Sequence, residues 1–175
     1  IYARNEGAVV APTAGFHFSR ELMKRMEIKG IDSAYVTLHS GLGNFRAIEV
    51  EDLTKHKMDS EQMEINEQNA NLINKTKEKE NKVCIVGTTT MKAVETAAIT
   101  GNRVKVYSGW SNKFIFPHYN FDIADAMITN FHPPLSSMLM MVSAFGGYDL
   151  IMEAYKHTKK KEYKFLTYGD AMLII

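Results

Sequence analysis

Apolar positions change their period along this chain, and the changes mark out alternating strands and helices. Val83-Cys-Ile-Val-Gly87 is an unbroken apolar run of strand length. Its lack of alternation predicts a central parallel strand buried on both faces. From Met91 the period lengthens: Met91, Val94 and Ala98 share one helical face, so a helix is expected to about Ile99, entered directly from Thr88-Thr89-Thr90. The same period predicts a helix after Ser19, with Leu22, Met23 and Met26 on one face and Gly30 at its end. Another is expected over Glu67–Lys79, capped by Asn66, with Ala70 and Ile73 inward. Two more cover Ser136–Phe145 and Asp149–Lys159, split by Gly146-Gly147. Strands are expected at Ala8–Pro12, Ala34–Leu38, Phe45–Val50, Gln62–Ile65, Arg103–Tyr107, Lys113–Phe116, Asp125–Thr129 and Ala171–Ile175. Glu51–Lys57 reads as a weak helix, and Lys75–Lys82 as a solvated helix end. The alternation gives an α/β class, with a mostly parallel or mixed sheet and flanking helices.

Composition narrows the function classes. The chain has 175 residues, enough for a sizeable core, and is 45% hydrophobic and 23% charged. Its 21 basic and 20 acidic residues give a net charge of +1, which does not indicate a strongly basic nucleic-acid binder and leaves room for a local basic patch. The single cysteine, Cys84, excludes an intrachain disulfide and points to a reducing, cytoplasmic setting. No apolar run is long enough for a transmembrane helix, so no membrane association is expected. The chain opens at Ile1 rather than Met, which reads as part of a longer protein. Such a piece is expected to expose a sheet edge, and so to be marginally stable alone or to pair with another copy.

Four segments combine residue types that can carry chemistry. Gly87-Thr88-Thr89-Thr90 joins a strand to a helix, and a helix N-terminus presents N–H groups to a carboxylate, a phosphate or ribose hydroxyls. The spacing is not that of a P-loop, and a plain threonine cap remains open. His39-Ser-Gly-Leu-Gly-Asn-Phe-Arg46 flanks two glycines with a histidine and an arginine, suited to proton transfer and anion binding, or to an ordinary turn. His56-Lys-Met-Asp59-Ser-Glu61 sets an imidazole beside two carboxylates, or forms a solvated turn. Asn130-Phe131-His132 follows a strand, as His39 and Thr88 do, so one rim at the carboxyl ends of the strands is expected to gather them, or His132 is a satisfied loop histidine before two prolines. No metal-site spacing occurs, and no metal is expected. The lone Trp110 is expected to pack rather than to stack on a base, and Met138–Met141 to belong to the core.

Read together, these segments resemble one family. Ala11-Pro-Thr-Ala-Gly-Phe-His-Phe18 is similar to the APTAGLHF motif of the S-adenosylmethionine:tRNA ribosyltransferase-isomerases of queuosine biosynthesis. The likeness continues, in order, through 37–46, 56–61, 87–95, 125–132, 143–147 and 168–174. Asn44 stands where the family usually has Thr, Asp59 where it has His, and Lys92 where it has Arg. The Pro133–Leu139 segment also departs from the common LPKSTLL.

The resemblance implies a chain about twice as long, with an α/β domain interrupted by a small β-barrel. Residues 1–175 would be the C-terminal part of a barrel-like α/β catalytic domain, lacking its N-terminal part and the inserted β-barrel domain. The implied reaction uses S-adenosylmethionine as a ribosyl donor to the aminomethyl group of a deazaguanine in the tRNA anticodon. The product is epoxyqueuosine-tRNA, with adenine and methionine released. Within that scheme His39 and His132 are the candidate base or acid, and Glu61 and Glu95 are catalytic candidates that orient histidines or bind ribose. His17, Arg46, Thr88, Thr89, Thr90, Asn130 and Asp170 are the substrate-binding candidates. The partners implied are S-adenosylmethionine, tRNA and the rest of the same protein, and the fragment alone is expected to be inactive. The alternatives are a non-catalytic nucleoside- or tRNA-binding module derived from that family, and an unrelated hydrolase, for which no GxSxG elbow is present.

Overall fold

Three helices start where a side-chain oxygen meets an orphan amide. Ser19 Oγ accepts from the Leu22 N–H at 3.1 Å, Asn66 Oδ1 from Asn69 at 3.0 Å, and Ser136 Oγ from Leu139 at 3.1 Å. The computed structural model describes residues 4–175. In chain order these form α1 (Arg20–Ile28), β1 (Thr37–Leu38), β2 (Glu61–Ile65), α2 (Glu67–Glu78), β3 (Cys84–Val86), α3 (Thr88–Ala97), β4 (Ala98–Ile99) and β5 (Arg103–Val104). They continue with β6 (Tyr107–Ser111), β7 (Ala126–Asn130), α4 (Ser137–Gly146), α5 (Tyr148–Lys160) and β8 (Ala171–Ile174).

The class is mixed α/β. One sheet, ordered β1-β2-β6, is antiparallel throughout. A second, ordered β3-β7-β8, joins β3 and β7 in parallel and β7 and β8 antiparallel. The β4-β5 pair is a short antiparallel ribbon. Helix α3 lies against both larger sheets and against α4. Its Met91, Ala93, Val94 and Ala97 are fully buried, together with Met63 and Ile65 of β2, Ile85 of β3 and Met127 of β7. Each such large side chain contributes about 1.5–3 kcal/mol through its removal from water. Among the methionines of α4, Met141 is buried in this core and Met138 and Met140 are half-buried.

Several expectations are corrected. The 83–87 run is not a central strand among the described residues: β3 pairs there with β7 alone, and Cys84 is exposed. An apolar run alone does not distinguish an edge from a centre. Residues 8–12 form no strand; the Val9 and Val10 N–H groups both reach the Ser40 carbonyl, and Thr13–His17 is a 3-10 turn. Residues 45–50 form none either, because Leu42–Phe45 coils into a 3-10 turn and Ile48 makes a single bond to the Leu135 carbonyl. The 113–116 strand is displaced to β6, where Tyr107, Gly109 and Ser111 pair with the inward side of β2. The weak helix shrinks to a 3-10 turn at Leu53–Lys55. The charged 75–82 stretch is not wholly solvated: Lys77 Nζ reaches both oxygens of Asp125 at 3.1 and 3.0 Å, and both side chains are largely buried.

The accessible surface is 11171 Å². A compact monomer of this mass exposes about 8,600 Å². The excess is apolar in part: α1 has no buried residue, and Ile28, Ile31 and Leu173 all face solvent.

Asn74 ties α2 to β5. Its amide donates to the Val104 carbonyl at 2.9 Å and accepts from the Val104 N–H at 2.7 Å, all within the interior. Asn74→Ala strands both backbone groups away from water. We expect a loss of about 2–4 kcal/mol in urea unfolding; a loss below about 0.5 kcal/mol would contradict the tie.

Candidate active site

The parallel pair β3/β7 opens toward the first turn of α3. Gly87 occupies the N-cap with φ +91°, a conformation that favours glycine, and its N–H reaches the Ile128 carbonyl at 2.8 Å. Thr88, Thr89 and Thr90 then form the first helical turn rather than preceding it, with Thr88 buried and no side chain capping this end. The 3-10 turn Thr13–His17 lies over the same place. Thr13 Oγ1 donates to Asn130 Oδ1 at 3.3 Å, and Asn130 Nδ2 lies 3.2 Å from His17 Nε2. The same Nδ2 reaches the carbonyls of Gly169 and Asp170, each at 3.4 Å. Asp170 contributes its backbone here; its carboxylate accepts from the Lys164 N–H at 2.7 Å and closes the preceding loop. Exposed Tyr168 stacks on Phe16 beside this cluster, with centroids 5.7 Å apart.

A second cluster sits on the solvent face of the β1-β2-β6 sheet. Glu61, Met63 and Ile65 point inward from β2, so Gln62 points outward. The His39 N–H bonds the Gln62 carbonyl at 2.9 Å, and Gln62 pairs with Trp110 across to β6. Gln62 and Trp110 are therefore cross-strand neighbours, and His39, just past the end of β1, lies level with them. They line a cleft of about 330 Å³ with Gly7, Asp59 and Glu61. Gly7 has φ +138°, and a Cβ on it would come within 2.8 Å of His39 Nδ1, so its backbone rests against the imidazole. Arg46 is exposed and lies 3.5 Å from Asp59. Trp110, expected to pack rather than to stack on a base, is 65% exposed. The strand alternation that buries Ser111 turns Trp110 outward.

One buried ion pair connects this cleft to α3. Lys92 Nζ lies 2.7 Å from Glu61 Oε2, with the side chains 4% and 5% exposed. The other oxygen, Glu61 Oε1, accepts from the Gly41 N–H at 2.9 Å and from Asn44 Nδ2 at 2.7 Å, and Asn44 also reaches Ser40 Oγ at 2.7 Å. Glu61 thus holds the loop that follows His39. His56 does not join it; its ring packs on Phe114 with centroids 4.8 Å apart. Glu95, one turn beyond Lys92, accepts from Tyr119 Oη and from the N–H groups of Asp122, Ile123 and Ala124. Its carboxylate organises residues 119–124, and desolvation together with the Glu95 charge pushes the Tyr119 hydroxyl far above its ordinary range.

His132 is buried behind the first cluster. Its Nε2 lies 2.8 Å from Thr129 Oγ1, and its N–H donates to Tyr155 Oη at 2.9 Å. Burial lowers its pKa to about 4, so the ring is neutral at pH 7. Among the described residues, no three His, Cys, Asp or Glu side chains converge as a metal site requires, and no helix is long and apolar enough to cross a membrane.

The family described as "Queuosine biosynthesis protein" matches residues 1–174. The chain belongs to that family. Two curated relatives, from Phocaeicola vulgatus and Bacteroides fragilis, are each 63% identical over the whole chain and bear the name S-adenosylmethionine:tRNA ribosyltransferase-isomerase. The chain spans about half the length of these relatives (50% of each). The crystal structure of an S-adenosylmethionine tRNA ribosyltransferase from Thermotoga maritima superposes with a TM-score of 0.77 at 37% identity. That match covers 93% of this chain and 52% of the other.

Within this member of the queuosine family the expected single rim is two clusters. His17, Asn130, the Asp170 backbone and the Thr88–Thr90 turn lie at the ends of β3 and β7. His39 and Glu61 line the cleft, with Arg46 beside it on Asp59. No direct contact joins His39 to Asn130 among the described residues. Residues 7–17 span the gap, with Gly7 on His39, Val9 and Val10 on Ser40, and Thr13 and His17 at Asn130. Thr13 and Trp110 were not among the site candidates named from sequence, and Lys92 was noted only as a departure from the family pattern; the structure places all three against candidate residues. Thr13 lay inside a quoted motif, and the other two needed the strand register and the helix position.

Two outcomes follow for solution experiments. Lys92→Met leaves the Glu61 carboxylate buried and unpaired, and should cost about 3–5 kcal/mol in denaturant unfolding; Lys92→Arg keeps the pair and should cost less. Equal stability of Lys92→Met and the native chain would contradict the pair's role. His132 binds its proton only below about pH 4 when folded, against 6.5 unfolded. The unfolded chain therefore takes up more protons between those values, so stability falls as pH drops through that window, by about 3 kcal/mol in total. The difference in unfolding free energy between the native chain and His132→Gln should narrow by that amount from pH 7 to pH 4; a pH-independent difference would contradict the buried neutral ring.

Proposed function

We propose that the protein carrying this chain transfers and isomerises the ribosyl unit of S-adenosylmethionine onto 7-aminomethyl-7-deazaguanine in tRNA. Residues 1–175 are then the C-terminal part of its α/β catalytic domain, and the reaction takes place in the cytoplasm. The observation that carries this reading is the family match over residues 1–174, with relatives named for that transfer. The chemistry needs a base for a C5′ hydrogen, acidified by the neighbouring sulfonium, and a proton donor for the departing adenine.

His39 is the proton-transfer group in this reading. It is half-buried in an open cleft, and its backbone is held by β2. His132 is neutral but enclosed, so we assign it the positioning of Asn130 and its strand end through Thr129 and Tyr155. Glu61 and Glu95 act by positioning, since their oxygens already hold Lys92 and the 40–44 loop, and residues 119–124. The α3 N-terminus with Thr88–Thr90, His17 and Asn130 offers N–H, hydroxyl, imidazole and amide groups to the carboxylate or ribose of S-adenosylmethionine. Arg46 is exposed for a tRNA phosphate.

The test uses the full-length protein with S-adenosylmethionine and tRNA bearing the aminomethyl-deazaguanine. Adenine and epoxyqueuosine should both form, and His39→Ala should lower kcat by about 10²–10⁴-fold while the protein stays folded. Binding of tRNA without adenine release would favour a binding module, and an unchanged rate in His39→Ala would remove that residue from proton transfer.

A further inference from the structure

Trp110 is an expensive residue to leave in water. A side chain of its size on the outer face of an edge strand gains nothing from the core, and its indole has both an apolar face and a polar N–H. Here it is 65% exposed, yet its backbone is fixed. It pairs with Gln62 across the sheet, and the Tyr107 hydroxyl donates to its carbonyl at 2.8 Å. His39, the residue after β1, is bonded through its N–H to the Gln62 carbonyl, and all three residues line the 330 Å³ cleft. A flat aromatic surface and a side-chain amide thus stand side by side on paired strands, with the imidazole at the first position after β1, its backbone held by the Gln62 carbonyl.

We propose that Trp110 is a stacking platform for a purine-type base, with the Gln62 amide at the base edge, and that it sets that base beside His39. The inference rests on the ribosyl-transfer reading only for the identity of the base. Stacking is indifferent to which purine arrives, because each presents a π face, whereas an amide both donates and accepts along the base edge. Two sources supply this chemistry in the proposed reaction: the adenine of S-adenosylmethionine and the deazaguanine of the tRNA. The acidic side of the cleft, at Asp59 and Glu61, lies next to the platform, although Glu61 is engaged by Lys92 and Asp59 is approached by Arg46. Trp110 therefore carries the recognition, not the carboxylates.

The experiment compares Trp110→Ala and Trp110→Phe in the full-length protein, measuring KM separately for S-adenosylmethionine and for the tRNA. Trp110→Ala should raise one of the two by at least about fivefold, with kcat reduced far less, and Trp110→Phe should restore most of it. A rise for S-adenosylmethionine assigns the platform to adenine; a rise for tRNA assigns it to the acceptor base. Equilibrium binding of adenosine and of the 7-aminomethyl-7-deazaguanine nucleoside is read in parallel from the indole emission that Trp110→Phe removes. That readout needs no turnover, so a protein that releases no adenine would overturn the reaction while the platform is still tested. Unchanged KM and unquenched emission with both nucleosides would overturn the platform. So would a fall in Tm shared by Trp110→Ala and Trp110→Phe with KM unaltered, which would make Trp110 a packing residue.

Discussion

The Lys92–Glu61 pair is the constraint on which the rest of the site depends. Two charges are removed from water at the junction of α3 and β2, and a lone charge there would be strongly unfavourable. The pair is satisfied because Glu61 uses its second oxygen on the Gly41 N–H and the Asn44 amide. The 40–46 loop is therefore part of the ion pair's solvation. In return, the carboxylate fixes where the chain turns after His39. The departures Asn44 and Lys92 are members of this one network, and Asn44 supplies a side-chain donor that reaches both Glu61 and Ser40.

Helix α3 distributes these constraints. Its first turn faces the β3 and β7 ends, Lys92 reaches Glu61 behind the cleft, and Glu95 gathers four donors from the 119–124 segment. The same helix buries Met91, Val94 and Ala97, so its position is set by the core rather than by the site. Polar residues on a helix that packs this tightly are held to one geometry, which is what proton transfer and orientation need. The 7–17 segment supplies the other link, running from the His39 ring to Asn130 with few bonds of its own regular structure.

Helices were legible in the sequence because their signals are local. Ser19, Asn66 and Ser136 cap where the apolar period begins, and α2, α4 and α5 lie within one or two residues of expectation. Strands were less legible. Thr37–Leu38 and Arg103–Val104 are two-residue pairings too short to show alternation. The apolar 83–87 run carries no information on whether a neighbour exists on each side, hence the edge position of β3 among the described residues. The site residues were named from motifs, but their grouping depends on contacts such as Glu61 with Lys92, 31 positions apart. The exposure of Trp110 was not legible because it follows from the alternation of β6, which buries Ser111 and turns Trp110 outward beside Gln62.

Amide hydrogen exchange at Gly41, in the native protein and in Lys92→Met, addresses the anchoring most directly. The Gly41 N–H donates to a carboxylate that is itself held by Lys92. If the pair governs the loop, Gly41 is protected in the native protein and exchanges at loop rates in Lys92→Met, while the core amides of α3 still exchange more slowly than the loop. Equal protection of Gly41 in both proteins would show that the loop after His39 is held by something other than the buried pair, and would contradict the account.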